Sequence, residues 1–307
     1  MPELPDVVVY LEALAPRVLG QPLERVRLAS PFLLRSVTPP LSSAEGKRVV
    51  GLRRLGKRLV FALEGDLFLV LHLMIAGRLR WKPRKSGEPP APVPKKVGLA
   101  GFDFPAGTLL LTEASPKKRA SLYLVAGEAG LAAHDRGGLE VLDATPETFA
   151  AALTAETHTL KRAMTDPRIL SGIGNAYSDE ILHRAKLSPF KRTTDLGADE
   201  MEQLLDATQE VLLEWVVRLR EETGEGFPEK VTAFRPQMAV HGRYGEPCPV
   251  CGTPVQRILY AENEANYCPT CQTGGRLLAD RVLSRLMKED WPRTLEELEE
   301  KKERARA

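Results

Sequence analysis

The chain has four cysteines, and they stand as two pairs, Cys248-Pro-Val-Cys251 and Cys268-Pro-Thr-Cys271, separated by sixteen residues. Each pair sets two thiols on one tight turn. Four sulfurs brought together in this way satisfy a tetrahedral zinc ion and leave no position for water, so they predict one structural Zn2+ and not a catalytic one. A redox dithiol accounts for one Cys-x-x-Cys and leaves its matched partner without a task. Gly252, the Thr253-Pro254 turn and the β-prone run Arg257-Ile258-Leu259-Tyr260 predict a two-stranded zinc ribbon around the metal. Ribbons serve many partners, so this site bounds the fold and not the function.

The 307 residues are enough for two cored domains. Asp6 to Leu19 predicts a helix with Pro5 at its start, Gly20 just past its end, and Pro16 bending or shortening it. The apolar period then drops toward two. Strands are expected at 49–55, 59–64, 67–72, 78–81, 101–104, 108–112 and 121–125, with a mobile Pro- and Lys-rich loop at 82–98. A helix with many short strands predicts a two-layer sandwich or flattened barrel. Near residue 145 the text turns helical. Thr145-Pro146-Glu147 is a helix entry, and Leu204, Leu205, Thr208, Val211, Leu212, Trp215 and Leu219 form a core stripe. Arg276 to Lys288 reads as one more helix, followed by a charged, frayed tail.

The net charge of +2 carries little information, but its distribution carries more. Lys47, Arg48, Arg53, Arg54, Lys57 and Arg58 crowd one stretch; Lys117, Lys118 and Arg119 form a second; Lys161, Arg162, Arg168, Lys191 and Arg192 form a third. Separated basic clusters can converge on one phosphate-binding face, although any one of them alone is more often a solvated strand or loop edge. No apolar run approaches the roughly 20 residues that span a bilayer, and the acidic N-terminus lacks the basic start of a secretory signal. A soluble cytoplasmic protein with no membrane partner is expected.

The chain begins Met1-Pro2-Glu3-Leu4-Pro5-Asp6. With Met1 removed, the first group is a secondary amine beside a carboxyl group. An α-amine titrates near about 7.7–8.0, and burial enlarges its neutral, nucleophilic fraction. Condensed with an aldehyde carbon it gives an iminium, an electron sink, and Glu3 can move a proton next to it. Taken by itself, Pro2 is also a common second residue and Pro5 a common helix start. Gly172-Ile173-Gly174-Asn175 can offer backbone N–H groups to a phosphate at a helix start, or be an ordinary glycine turn with Asn175 as N-cap.

Three features in order, the Pro2-Glu3-Leu4-Pro5 terminus, the Gly172-Ile173-Gly174-Asn175-Ala176-Tyr177 segment and the finger ending Cys268-Pro-Thr-Cys271-Gln272, resemble the formamidopyrimidine-DNA glycosylase / endonuclease VIII family over about residues 1 to 275. The resemblance implies an α+β chain: a two-layer β-sandwich with an N-terminal helix (1–143), a helix–two-turn–helix domain (144–240), a four-cysteine zinc finger (241–275) and a helical extension (276–307). It implies a base-excision DNA glycosylase/AP lyase that acts on damaged DNA as a monomer. Pro2 is then the nucleophile, Glu3 the acid/base, and Lys57 the lysine near the lesion phosphate. His72, Lys118 and Asn175 hold phosphates, Ile75 takes the wedge position, and Arg119 stands where many members have an aromatic plug. Cys248, Cys251, Cys268 and Cys271 hold the zinc.

This sequence departs from the family pattern in several places. Asp6 replaces a Glu, Met74 replaces a Gly, and Asn263 falls where the finger's phosphate-gripping Arg is expected, leaving Arg257 as the only nearby substitute. Losing an Arg–phosphate pair removes a bidentate, charge-assisted contact. A non-catalytic damaged-DNA-binding protein on the same scaffold is therefore the alternative reading. A ribbon that binds RNA or protein is a third, and it leaves Pro2 and Glu3 without a role.

Overall fold

The computed structural model describes residues 1–229, 231–260, 263–279 and 290–306. Its contacts divide into two compact units, Met1–Gly138 with Leu213–Ala233, and Leu139–Leu212 with Phe234–Ala307.

The first unit opens with helix α1 (Leu4–Val18), where Val7, Tyr10, Leu14 and Val18 recur every three or four residues and are fully buried. That stripe faces one way because of the 3.6-residue period. Pro16 lies inside the helix without ending it, since the turn still closes through Leu19 N–H to the Ala15 carbonyl. The strands are β1 (Arg25–Leu28), β2 (Val49–Leu55), β3 (Arg58–Leu63), β4 (Leu67–His72), β5 (Gly77–Pro83), β6 (Gly98–Phe104), β7 (Gly107–Glu113) and β8 (Ser121–Ala126). Among the described residues they form two antiparallel four-stranded sheets, β2-β3-β4-β8 and β1-β6-β7-β5.

Leu59, Phe61, Leu69 and Leu71 from one sheet and Leu79, Trp81, Phe102, Leu109 and Leu111 from the other share a core with the α1 stripe. This is the two-layer sandwich with an N-terminal helix that the period predicted. The alternate residues of β3 and β4, Val60, Ala62, Phe68 and Val70, pack against Leu131 of α2 (Gly127–Ala132). Burial on both faces explains why these two strands read as continuous apolar runs. Residues 213–233 complete the unit: Val231 and Phe227 join its core, and Arg17 donates to the Glu225 and Gly226 carbonyls at 3.0 Å each.

The second unit contains α3 (Pro146–Thr154), α4 (Leu160–Thr165), α5 (Asn175–Arg184), most of α6 (Ala198–Thr223), the hairpin β9 (Gln256–Tyr260) and β10 (Asn263–Tyr267), α7 (Pro269–Thr273) and α8 (Leu295–Arg306). Thr145 caps α3 by accepting Thr148 N–H, with Pro146 at the first helical position. The α6 stripe from Leu204 to Leu219 is buried throughout.

The charged tail that was expected to fray carries helix α8 from Leu295 to Arg306. Of the helix expected at Arg276 to Lys288, residues 276–279 lie outside regular structure and 280–289 lie outside the described residues. Among the described residues, no helix is long and apolar enough to cross a membrane.

Candidate functional site

Pro2 and Glu3 lead directly into α1 and are buried, Glu3 to 2% exposure. Glu3 is the N-cap, and its N–H donates to Asp6 Oδ2 at 2.9 Å in a capping-box arrangement. The shorter Asp6 thus pins the backbone that carries Glu3. Met1 precedes Pro2 in this chain, so the α-amine belongs to Met1 and the Pro2 nitrogen is an amide. Burial lowers the Met1 α-ammonium pKa; Glu3 and Asp6 oppose the shift, whereas Arg78 and Lys57 add to it.

Strand register gathers the basic residues. Arg58 lies opposite His72, and His72 opposite Ser121, so the β2–β3 turn, the end of β4 and the start of β8 share one sheet end. Lys57 stands on that turn after Gly56, whose φ of +59° suits glycine. His72 is held down at about 4, first by burial and then by Arg58, Lys57 and Arg136.

Ile75, on the β4–β5 connection, is 55% exposed. Met74 before it sits at φ +53°, a left-handed conformation costly for a residue with a Cβ. At Gly77 a Cβ would lie 2.3 Å from the Leu73 carbonyl oxygen, so that turn admits only glycine. Arg78 locks the turn by donating to the Ile75 and Gly77 carbonyls at 3.1 and 2.7 Å and to the Val231 carbonyl.

In the loop before β8, the buried Glu113 carboxylate accepts Arg119 and Ala120 N–H at 3.0 Å each. Lys118, at φ +43°, turns its ammonium back to the Glu113 carbonyl, while Arg119 is exposed.

In the second unit Gly172, at φ +83°, turns the chain into α5. The N-cap is Gly174 and Asn175 is the first helical residue, so of the two readings of this turn the one with Asn175 as cap does not hold. Asn175 is half-exposed while Ser171 to Gly174 and Ala176 to His183 are buried. Lys161 is not part of a surface cluster. At 3% exposure, its ammonium donates to the Asn175 carbonyl (2.7 Å), Ser178 Oγ (2.8 Å) and Asp179 Oδ1 (2.5 Å). Asp179 Oδ2 also meets His241 Nδ1 at 2.8 Å and Asn266 Nδ2 at 3.2 Å. Burial pushes the neighbouring Glu180 upward, although it accepts the N–H groups of Ala239, Val240 and His241 at 2.7–2.9 Å. Lys191 and Arg168, from the same sequence cluster, are paired with Glu200 and Asp166.

The four cysteine sulfurs lie within 4.8 Å of one another. The Cys251–Cys268 and Cys248–Cys271 separations are 3.4 and 3.9 Å. These exceed a disulfide and bracket the roughly 3.8 Å edge of a tetrahedron with about 2.3 Å zinc–sulfur bonds. Burial also pushes the Cys271 thiol up to about 11, a penalty that a cation among the sulfurs reverses. The donor set therefore fits zinc as a crosslink between the two turns. Arg257 lies 4.4 Å over the Tyr244 ring and 3.8 Å from Glu264. Asn263 opens β10 opposite Tyr260, and its side chain lies outside the described residues.

Three family models match the chain: the formamidopyrimidine-DNA glycosylase N-terminal domain over residues 1–114, the H2TH domain of the same enzymes over 140–224, and the zinc finger found in FPG and IleRS over 245–274. A formamidopyrimidine-DNA glycosylase of Thermus thermophilus is 34% identical over 293 residues, covering 90% of this chain and 100% of the relative. The chain belongs to the formamidopyrimidine-DNA glycosylase family. A crystal structure of the Thermus thermophilus protein aligns with this family member at a TM-score of 0.71 with 34% identity, over 88% of this chain and 98% of that one. A complex between Lactococcus lactis Fpg and DNA containing an abasic site aligns at 0.75 with 26% identity, over 88% and 99%. An uncharacterized formamidopyrimidine-DNA glycosylase-like protein of Mycobacterium tuberculosis is 43% identical over 151 residues, 49% of this glycosylase and 94% of the relative.

Sequence reasoning missed Glu113, Arg78 and the Lys161–Asp179 pair in this DNA glycosylase fold. Their roles come from register and burial. The one available signal was the adjacent acidic pair Asp179-Glu180 in the first turns of the helix that follows the glycine turn.

Proposed function

We propose that the chain is a bifunctional DNA glycosylase/AP lyase of base-excision repair with Pro2 as its nucleophile. The observation that carries this reading is the buried entrance to α1, where burial lowers the pKa of the Met1 α-ammonium next to Pro2 and Glu3 is held by Asp6. After Met1 is removed, the Pro2 nitrogen bonds to C1′ of a damaged nucleotide. The N-glycosidic bond breaks, and the base leaves with the bonding pair and takes up the proton that the Pro2 nitrogen releases. Glu3 protonates the sugar ring oxygen as the ring opens to an iminium. Loss of a C2′ proton then expels the 3′ phosphate, and water regenerates the amine.

Lys57 attends the lesion phosphate, while His72, Lys118, Arg119 and Asn175 hold backbone phosphates. Ile75 fills the stack vacated by the extruded nucleotide, a step costing a few kcal/mol that phosphate contacts offset. One zinc ion on the four cysteines supplies a structural crosslink. The functional segments are 1–143, 144–240, 241–275 and 276–307, and the protein works as a cytoplasmic monomer on damaged DNA.

Borohydride trapping on abasic DNA tests the mechanism. A covalent adduct is expected at Pro2, with Met1 absent by intact mass. Pro2→Gly should abolish or weaken the adduct, and Glu3→Gln should slow its formation by about 10²–10⁴-fold. No adduct across abasic and lesion-bearing DNA would sink this reading.

The engagement of Arg257 with Tyr244 and Glu264 favours a second reading, a non-catalytic damaged-DNA binder. Salt-sensitive binding to abasic analogues without any adduct would support it.

A further inference from the structure

His183 lies on α5 four residues after Asp179, so both side chains leave the same helix face. It is 6% exposed, and its Nε2 lies 3.3 Å from Cys248 Sγ. Cys248 is itself buried, packed with Val240, Val255 and Cys268. A tetrathiolate zinc centre keeps a net charge of about −2, and burying it requires hydrogen-bond donors at sulfur. Cys268 Sγ has one within its own turn, the Cys271 N–H at 3.5 Å. Cys248 Sγ is met by an imidazole from a different element. A metal-bound thiolate only accepts, so Nε2 carries the hydrogen.

On the same helix, Asp179 Oδ2 accepts Asn266 Nδ2 at 3.2 Å, two residues before Cys268. Lys161 ties that aspartate to the Asn175 carbonyl at the start of α5. One helix thus braces both halves of the ribbon and carries the Asn175 turn at its other end.

We propose that His183 is a positioning residue for the zinc centre: its Nε2–H donates to the Cys248 thiolate, slowing metal loss and fixing the ribbon to α5. The inference rests on the zinc reading above, and the two fail separately. Elemental analysis showing no zinc in the purified protein would overturn the zinc reading.

With the metal bound, the inference is tested on the full-length protein by release of zinc to a chromophoric chelator. His183→Phe is expected to release zinc about 10- to 100-fold faster, and His183→Gln, which retains an N–H donor, to recover part of the loss. Release from His183→Phe at the unsubstituted rate would overturn it. If His183→Phe does not fold, the unsubstituted protein loaded with cadmium-113 decides. A proton–cadmium correlation from the His183 Nε2–H through the Cys248 sulfur supports the hydrogen bond, and a spectrum without that correlation rejects it.

Discussion

His72 shows how a single side chain can report the field of a basic site. Its ordinary pKa of 6.5 falls to about 4 through burial and the nearby Arg58, Lys57 and Arg136. Between those two values the unfolded chain binds a proton that the folded chain does not. The folded state is therefore penalised as pH falls from about 6.5 toward 4, and the penalty is absent above that window. The shift corresponds to at most about 3 kcal/mol, less for the part of the ring that solvent reaches. Urea unfolding at about pH 7 and about pH 4.5, on either side of most of that window, measures it. His72→Asn should lose less stability over that interval than the unsubstituted protein, and equal losses would show that His72 does not titrate this way. At neutral pH the ring is uncharged, so a phosphate held there under the proposed function would meet an N–H dipole and not a charge. Met74 is the other residue-scale peculiarity. Its φ of +53° is the left-handed region that favours glycine, and the strain lies immediately before the exposed Ile75.

At the scale of elements, α1 depends on its first turn. Asp6 accepts the Glu3 N–H, so Asp6→Ala should cost about 1 kcal/mol of cap stability and lower Tm by about 2–4 °C. Because the same bond positions Glu3, trapping on abasic DNA should slow as well. A variant that loses stability but keeps the trapping rate would confine Asp6 to capping. The sequence disclosed the elements whose apolar spacing is their own cause: the α1 and α6 stripes, and β2 through β8 with their ends shifted by up to three residues. It hid β1, where only Val26 faces inward and Arg27 is held by Asp103 at 2.7 Å across the sheet. It also hid α8, whose mean character is charged and whose start is fixed by Thr294 accepting Glu297 N–H. The candidate site divides in the same way. The four-cysteine cluster was legible because residue type and spacing set its chemistry, whereas Pro2 and Glu3 stood out only through the family resemblance. Glu113, Arg78 and Lys161 were not, because a carboxylate under a loop or an ammonium inside an ion pair is defined by neighbours distant in sequence.

Over the whole molecule, a net charge of +2 conceals how many cations are already committed. Arg53 pairs with Glu128, Arg168 with Asp166, Lys191 with Glu200 and Arg220 with Glu12. The proposed phosphate contacts draw their positive charge from Lys57, Lys118 and Arg119, since His72 is neutral and Asn175 uncharged. Three neutralised phosphates predict a slope of about −2.7 when log affinity for duplex DNA is plotted against log salt concentration. Lys57→Ala and Arg119→Ala should each make the slope shallower by about 0.9. Arg168→Ala should leave it unchanged, because Asp166 already holds that guanidinium through bonds of 2.7 and 3.1 Å. Titrations of one abasic-analogue duplex at several salt concentrations separate these outcomes. If Arg168→Ala flattens the plot as much as Lys57→Ala does, the DNA is gripped by the committed arginines as well, and the sheet end that carries Lys57 and Arg119 is not the main source of affinity.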